Sequence, residues 1–174
     1  MILADFPAWF VRLFALMMGL VWGSFLNVVV YRVPLGMSVV RPASACPACG
    51  TPIAPYDNLP VLGFLLLRGK ARCCKAKLSP RYPLVELAGG LLALAIAERL
   101  ILSLPAMSSA LRCLAIFTAD FSLCLGLLAA ALIDLDHLYI PDGITLGGSV
   151  VGILTFTLRS PSARWHDSLI GALG

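Results

Sequence analysis

The chain has 174 residues, of which 60% are hydrophobic and 13% charged, and its mean hydropathy is +0.94. Those values exclude an ordinary soluble domain and place the chain among integral membrane proteins, with a core of helix against helix in lipid. The net charge of +4 does not call for a nucleic-acid partner, because eight of the 13 Lys and Arg fall between Arg32 and Arg81, where Asp57 is the one acid. A basic loop beside apolar spans follows the positive-inside rule instead.

Residues 1–31 hold the first predicted span. Leu13 to Tyr31 carries no charge and, at about 1.5 Å per residue, is long enough to cross a bilayer. It opens on Asp5 rather than a basic stretch, its apolar run is too long, and no small-x-small site follows, so it reads as a retained helix rather than a signal peptide. Gly19, Gly23 and Ser24 are spaced for close helix packing. Asn27 serves either an interhelical hydrogen bond or a catalytic part.

Residues 32–83 form a polar insert rich in Pro, Arg, Lys and Cys. Cys46-Pro-Ala-Cys49-Gly50 is a C-x-x-C knuckle, and Cys73 and Cys74 follow about two dozen residues on. That pattern points to a structural zinc site, in which metal binding supplies folding energy that so short a module lacks. The second pair is irregular, since adjacent cysteines both ligate only with a strained backbone. The alternatives are free thiols and redox chemistry. Positive-inside placement makes the insert cytoplasmic and reducing, which favours metal over a disulfide. Leu59 to Leu67 is apolar but too short to span, and belongs on the bilayer surface or inside the module.

The second predicted span runs from Leu84 to about Leu104. Pro83 precedes it, Glu86 sits in its first turn, and Glu98 with Arg99 makes an interfacial pair at its far end. Residues 105–111 form an external turn, and residues 112–133 the third span. Asp120 lies inside that span and must face the bundle or a wet cavity. Cys113 and Cys124 read as packing residues. Residues 143–158 form a fourth, Gly-rich span, followed by a polar loop from Arg159 to Asp167. Ser168 to Gly174 reads as a fifth helix begun. The fold class is therefore an all-α polytopic membrane protein with about four transmembrane helices and a small cytoplasmic zinc-knuckle insert. Its parts are 1–31, 32–83 and an incomplete core at 84–174. The N-terminus is outside, and the insert and the stretch from Asp134 to Asp142 share the cytoplasmic side.

That stretch is where chemistry is concentrated. Charge at membrane depth is costly, so Asp134, Asp136 and Asp142 are functional candidates, Asp134 foremost because it lies deepest against the apolar run. The competing account is a polar cap between two helices. Two carboxylates sharing a proton can activate water for peptide hydrolysis. Asp134 and Asp136, at i and i+2, point apart on a helix, and Asp120 lies roughly 20 Å from Asp134 along the axis. Mg²⁺ held by clustered carboxylates is a rival, disfavoured because no Lys or Arg interleaves them to hold phosphate. His137 reads as a solvated interfacial residue.

These residues also carry a resemblance. Gly23-Ser-Phe-Leu-Asn27 with Tyr31-Arg32, Cys46-Pro-Ala-Cys49, Arg68-Gly-Lys70, Arg81-Tyr-Pro-Leu-Val-Glu86, and Asp134-Leu-Asp136 through Ile140-Pro-Asp142 occur in order along nearly the whole chain. In that order they resemble the bacterial type IV prepilin peptidases, which are leader peptidases and N-methyltransferases. The resemblance implies an aspartic endopeptidase of the bacterial inner membrane. Such an enzyme cuts prepilins or pseudopilins at the cytoplasmic face and methylates the new N-terminus with S-adenosylmethionine. It implies Asp134 as the first catalytic aspartate, Asp136 and Asp142 as motif neighbours, and Cys46, Cys49, Cys73 and Cys74 as Zn²⁺ ligands. Two departures stand out. The family's second C-x-x-C would begin at Ala71, and its Gly-x-Gly-Asp motif does not occur in these 174 residues. A chain truncated before that motif is expected to be inactive alone. The other readings are a non-catalytic zinc-knuckle protein that binds pilins or assembly factors, and a thiol-redox protein.

Overall fold

In lipid every backbone polar group must be satisfied within the chain, which favours long uninterrupted helices. The computed structural model describes the backbone of residues 1–159 and side chains as far as Ile153; the loop expected to end at Asp167 and the fifth helix expected at Ser168–Gly174 lie outside the described residues. Five helices occur in order: α1 (Ala8–Arg32), α2 (Leu62–Leu66), α3 (Arg81–Ile96), α4 (Ala110–His137) and α5 (Asp142–Arg159). Among the described residues there is no strand, only three isolated bridges. By length and composition, α1 and α4 are apolar enough to cross a membrane.

Helix α3 packs on α1 at the small residues the sequence singled out. A Cβ placed on Gly89 would lie 2.6 Å from the Gly19 carbonyl oxygen and 2.9 Å from Gly23 Cα. One placed on Gly23 would lie 2.8 Å from Glu86 Cα. The two backbones therefore touch directly, and only glycine fits between them. At one end of the bundle, Ala15, Ala93 and Ala97 pack with Ile116, Phe117 and Phe121 of α4. At the other, Leu26, Val30 and Val85 pack with Ala129 and Ile133, and Ile133 is completely buried. Asp120 is buried, as an acid within an apolar span must be, and Cys113 lies in the first cluster as a packing residue.

Several sequence expectations are corrected. Helix α3 begins at Arg81, so Pro83 falls within its first turn, where its missing N–H still costs nothing. Glu86 lies in the second turn, buried, and its carboxylate accepts the Val61 N–H at 2.6 Å. Glu98 pairs with Arg12 of α1 and not with Arg99. It does so from a π-helical segment, Ala97–Ile101, that extends α3. Of the Leu59–Leu67 stretch, Gly63 is buried against the Asp57 carbonyl, while Leu59, Leu62, Leu65 and Leu66 are exposed on the surface. The turn after α3 is tied to the N-terminus. Leu3 N–H donates to Ser108 O at 2.8 Å, Ala110 N–H donates to Met1 O at 3.1 Å, and the Ser109 hydroxyl caps α4.

Gly89→Ala is expected to force α1 and α3 apart at a cost of about 1–3 kcal/mol. Thermal unfolding in detergent should show a lower midpoint for that variant. Gly147→Ala, at a position with open space around it, should be neutral or slightly stabilising. Equal midpoints for the two variants would contradict the packing described.

Candidate functional site

The functional candidates gather where α1 and α4 end and α3 begins. Three contacts meet at this end of the bundle, two joining the insert to it and one joining α1 to α3. Arg32, buried in the last turn of α1, donates to the Ser38 carbonyl at 3.0 Å. Asn27 Nδ2 donates to the Tyr82 carbonyl at 3.1 Å, so of its two predicted roles the interhelical bond is the one seen. Glu86 holds Val61. Val61 is a β-branched residue at φ +60°, a strained conformation that this hydrogen bond helps to hold.

Within the insert two short turns face each other. In the first, Ala45 pairs with Pro52, Cys46 N–H donates to Thr51 O at 2.8 Å, Gly50 N–H donates to Cys46 O at 2.9 Å, and Gly50 takes φ +72°. The second repeats this pattern 25 positions later. Lys70 pairs with Lys77, Ala71 N–H donates to Ala76 O at 2.8 Å, Lys75 N–H donates to Ala71 O at 3.0 Å, and Lys75 takes φ +59°. Ala71 thus stands where Cys46 stands in the first turn, and both are buried. Cys74 stands where Cys49 stands. Cys73, one residue earlier, brings its thiol to the place that Ala71 leaves empty.

All four Sγ atoms lie within 4.8 Å of one another. Cys46 Sγ is 3.7 Å from Cys74 Sγ, and Cys49 Sγ is 3.2 Å from Cys73 Sγ. Four thiolates at about 2.3 Å from one zinc ion would be roughly 3.8 Å apart, so the donor set fits a tetrahedral soft-metal site. Lys75 takes in the second turn the left-handed position that Gly50 takes in the first, so the strain of a non-glycine residue there belongs to the turn itself. The Thr51 hydroxyl, 3.2 Å away, and the Thr51 N–H draw the Cys49 thiol down to about 6. The Ala48 and Cys49 N–H groups lower Cys46 in the same way. Hydrogen-bonded beside Cys49 and crowded by the other thiols, Cys73 is pushed up to about 12. Arg72, between Ala71 and Cys73, forms a two-pronged pair with Asp57 at 2.7 Å on both oxygens and lies over the Tyr56 ring. The guanidinium holds the Asp57 carboxyl below its usual range and fixes the second turn to the 3-10 turn Pro55–Asn58.

Asp134 lies in the last turn of α4, one residue beyond buried Ile133, and is itself exposed. The helix ends at Leu138 in the left-handed region, where Leu138 N–H donates to Asp134 O at 2.8 Å. Asp136 does not cluster with Asp134. Its carboxylate is gripped by Arg81 of α3, at 2.9 Å to Oδ1 and 2.7 Å to Oδ2. Asp142 opens α5 and is exposed, with its carbonyl accepting from the Thr145 hydroxyl at 3.1 Å. The three aspartates form no metal-ligand group among the described residues, where the four cysteines are the one such group. Sequence reasoning missed the partnerships of Arg81 with Asp136, Glu86 with Val61 and Arg12 with Glu98. No local spacing signals pairs this far apart along the chain.

Comparison with known proteins agrees with the motif order. The Bacterial Peptidase A24 N-terminal domain matches residues 17–100, and the Type IV leader peptidase family matches residues 121–174. The Prepilin leader peptidase/N-methyltransferase of Myxococcus xanthus (strain DK1622) is 41% identical over 97% of this chain and 48% of its own length. The protein of the same description from Klebsiella pneumoniae is 38% identical over 92% of this chain and 68% of its own length. The "Type 4 prepilin-like proteins leader peptide-processing enzyme" of Escherichia coli O78:H11 is 37% identical over 89% and 60%. The chain thus spans between 48% and 68% of the length of these relatives. No solved structure gives a significant match. With both family segments matched in order, and relatives this similar along nearly its whole length, the chain belongs to the type IV leader peptidase family.

Proposed function

We propose that Asp134 is one carboxylate of an aspartic endopeptidase that removes the leader of type IV prepilins or pseudopilins at the cytoplasmic face of the bacterial inner membrane. One observation carries this reading: Asp134 is exposed at the end of a long apolar helix, at the end of the bundle that also bears the insert. A prepilin leader followed by an apolar helix would meet both there. In this topology α1, α3, α4 and α5 are the four spans, and the basic insert lies on the cytoplasmic side. The parts are residues 1–31, 32–83 and 84–174.

The chemistry requires a second carboxylate to share a proton with Asp134. Residues 1–174 contain no Gly-x-Gly-Asp, so the partner comes from outside this stretch. The ionised carboxyl takes a proton from water, whose oxygen bonds to the scissile carbonyl carbon, while the protonated carboxyl donates to the carbonyl oxygen. Collapse breaks the C–N bond, and the leaving amine takes up the proton. The relatives' names include N-methyltransferase, and the family implies S-adenosylmethionine as donor of the methyl group. Two open grooves on the bundle, one at Val21, Trp22 and Phe25 and one between α4 and α5, are lined mostly by apolar side chains.

The four cysteines would hold a structural Zn²⁺ as thiolates, and the ion would supply the folding energy of the insert. Purified protein is expected to carry about one zinc per chain, and Cys73→Ala to lose most of it. Adding Ala71→Cys to that variant should restore binding, since residue 71 is the counterpart of Cys46. Metal analysis decides this, and unchanged zinc in Cys73→Ala would contradict the four-thiolate site.

The peptidase reading is tested with full-length protein in native membranes and a prepilin substrate. Asp134→Asn is expected to lower leader cleavage by at least about 10³-fold, the scale seen when a residue acting directly in catalysis is removed. Cleavage at the parental rate by Asp134→Asn would overturn the assignment and favour a non-catalytic pilin-binding role. Residues 1–174 expressed alone are expected to show no cleavage.

A further inference from the structure

Asp136 lies two positions from Asp134, yet its surroundings are different. On a helix, i and i+2 project about 200° apart, so one side chain can be tied down while the other stays open. The structure shows that division. Asp136 is held on both oxygens by Arg81 of α3, and Asp134 is left exposed. The arrangement matters because this is the last turn of α4. Its final carbonyls have no onward helical partners, and the helix stops at Leu138 with positive φ. An untethered last turn frays. Here it is fixed on one side by completely buried Ile133 and on the other by the ion pair.

Arg81 is itself well placed to act as an anchor. It starts α3, and its N–H donates to the Ser79 hydroxyl at 3.2 Å. The next residue, Tyr82, is bonded to Asn27 of α1, and Glu86, one turn further on, holds Val61 of the insert. A planar guanidinium engaging both carboxylate oxygens fixes orientation as well as distance, which a lysine cannot do. The pair is part-exposed, with side-chain exposures of 44% and 34%. Such pairs contribute little to global stability, so its effect should fall on local geometry.

We infer that Arg81 is a positioning residue for Asp134, acting through its two-pronged ion pair with Asp136 to hold the last turn of α4 in the orientation that cleavage requires. The inference rests on the reading of Asp134 as a catalytic carboxylate.

The test uses full-length protein in native membranes with a prepilin leader substrate, and compares Arg81→Ala, Arg81→Lys, Asp136→Asn, the double variant Arg81→Ala/Asp136→Asn, and Asp134→Asn. Arg81→Ala and Asp136→Asn are each expected to lower kcat by about 10–100-fold, the scale of a misplaced catalytic group, with KM within about twofold and the unfolding midpoint unchanged. Arg81→Lys should recover only part of the loss. The double variant should be no slower than either single variant, because both break one contact. Full activity in Asp134→Asn would remove the reading on which the inference rests. An inactive Asp134→Asn beside Arg81→Ala and Asp136→Asn at parental rates would leave that reading standing and overturn the inference. Additive losses in the double variant, or a change in KM alone, would overturn it too. Should Arg81→Ala not fold, Arg81→Lys and Asp136→Asn give the same decision.

Discussion

The rest of the structure depends on the contact between α1 and α3 at Gly19, Gly23 and Gly89. Lipid offers no hydrophobic drive for two apolar helices to associate, so close packing of backbones must supply the attraction. A Cβ at Gly23 would fall within 2.8 Å of the α3 backbone, which leaves no room for another residue. Polar contacts at both ends then fix the register. From Arg12 to Asn27 along α1 is roughly 22 Å, and from Glu98 back to Tyr82 along α3 is roughly 24 Å, at about 1.5 Å per residue. The two lengths agree closely enough for Arg12 to meet Glu98 and Asn27 to meet Tyr82 on one antiparallel pair. A shift of one turn, about 5.4 Å, would break both contacts and the glycine seam together.

That register determines where the insert can sit. Glu86 lies opposite Gly23, so the missing side chain on α1 makes space for the α3 backbone at the residue that holds Val61 of the insert. Buried charge is tolerated only with partners, and Glu86 finds one in a backbone N–H of the insert. The insert is thereby fastened to the bundle from within. Its own shape comes from the paired turns around the four cysteines, a repeat visible in backbone bonds and hidden in the sequence by the change at Ala71. The irregular Cys73-Cys74 pair keeps four donors because a step of one residue inside a tight turn moves a thiol only a short way. The positive φ of Lys75 matches that of Gly50 and comes with the turn, whichever residue carries the thiol.

How far the sequence could be read follows from the range of the forces involved. Apolar runs are local, and Leu13–Tyr31 located α1 while the apolar run before Asp134 located α4. The cysteine spacing is local as well, and Cys46, Cys49, Cys73 and Cys74 do converge. Gly19 and Gly23 announced a close contact without naming its partner. Boundaries next to polar residues were less legible. The helix expected from Leu84 starts at Arg81, because the first turn of a helix can project into water and there tolerates Arg, Tyr and Pro. Pairings were not legible at all. Glu98 beside Arg99 invited a neighbouring pair, but adjacent residues on a helix face about 100° apart, and the cation in reach was Arg12 on another helix.

The same geometry explains why three aspartates in nine residues have three different surroundings. Asp142 belongs to the N-terminus of α5, where a carboxylate suits the helix dipole, so its presence needs no catalytic explanation. Asp136 belongs to Arg81 and through it to α3. Asp134 has no helix N-terminus to complement and makes no ion pair among the described residues, and it follows directly on Ile133, the largest fully buried side chain of the core. The proposed catalytic role needs such an open carboxylate at the end of an apolar helix. The three aspartates are therefore divided among an open position at the end of α4, an ion pair with α3 and the first turn of α5, and what separates the first two is the helical offset between neighbours.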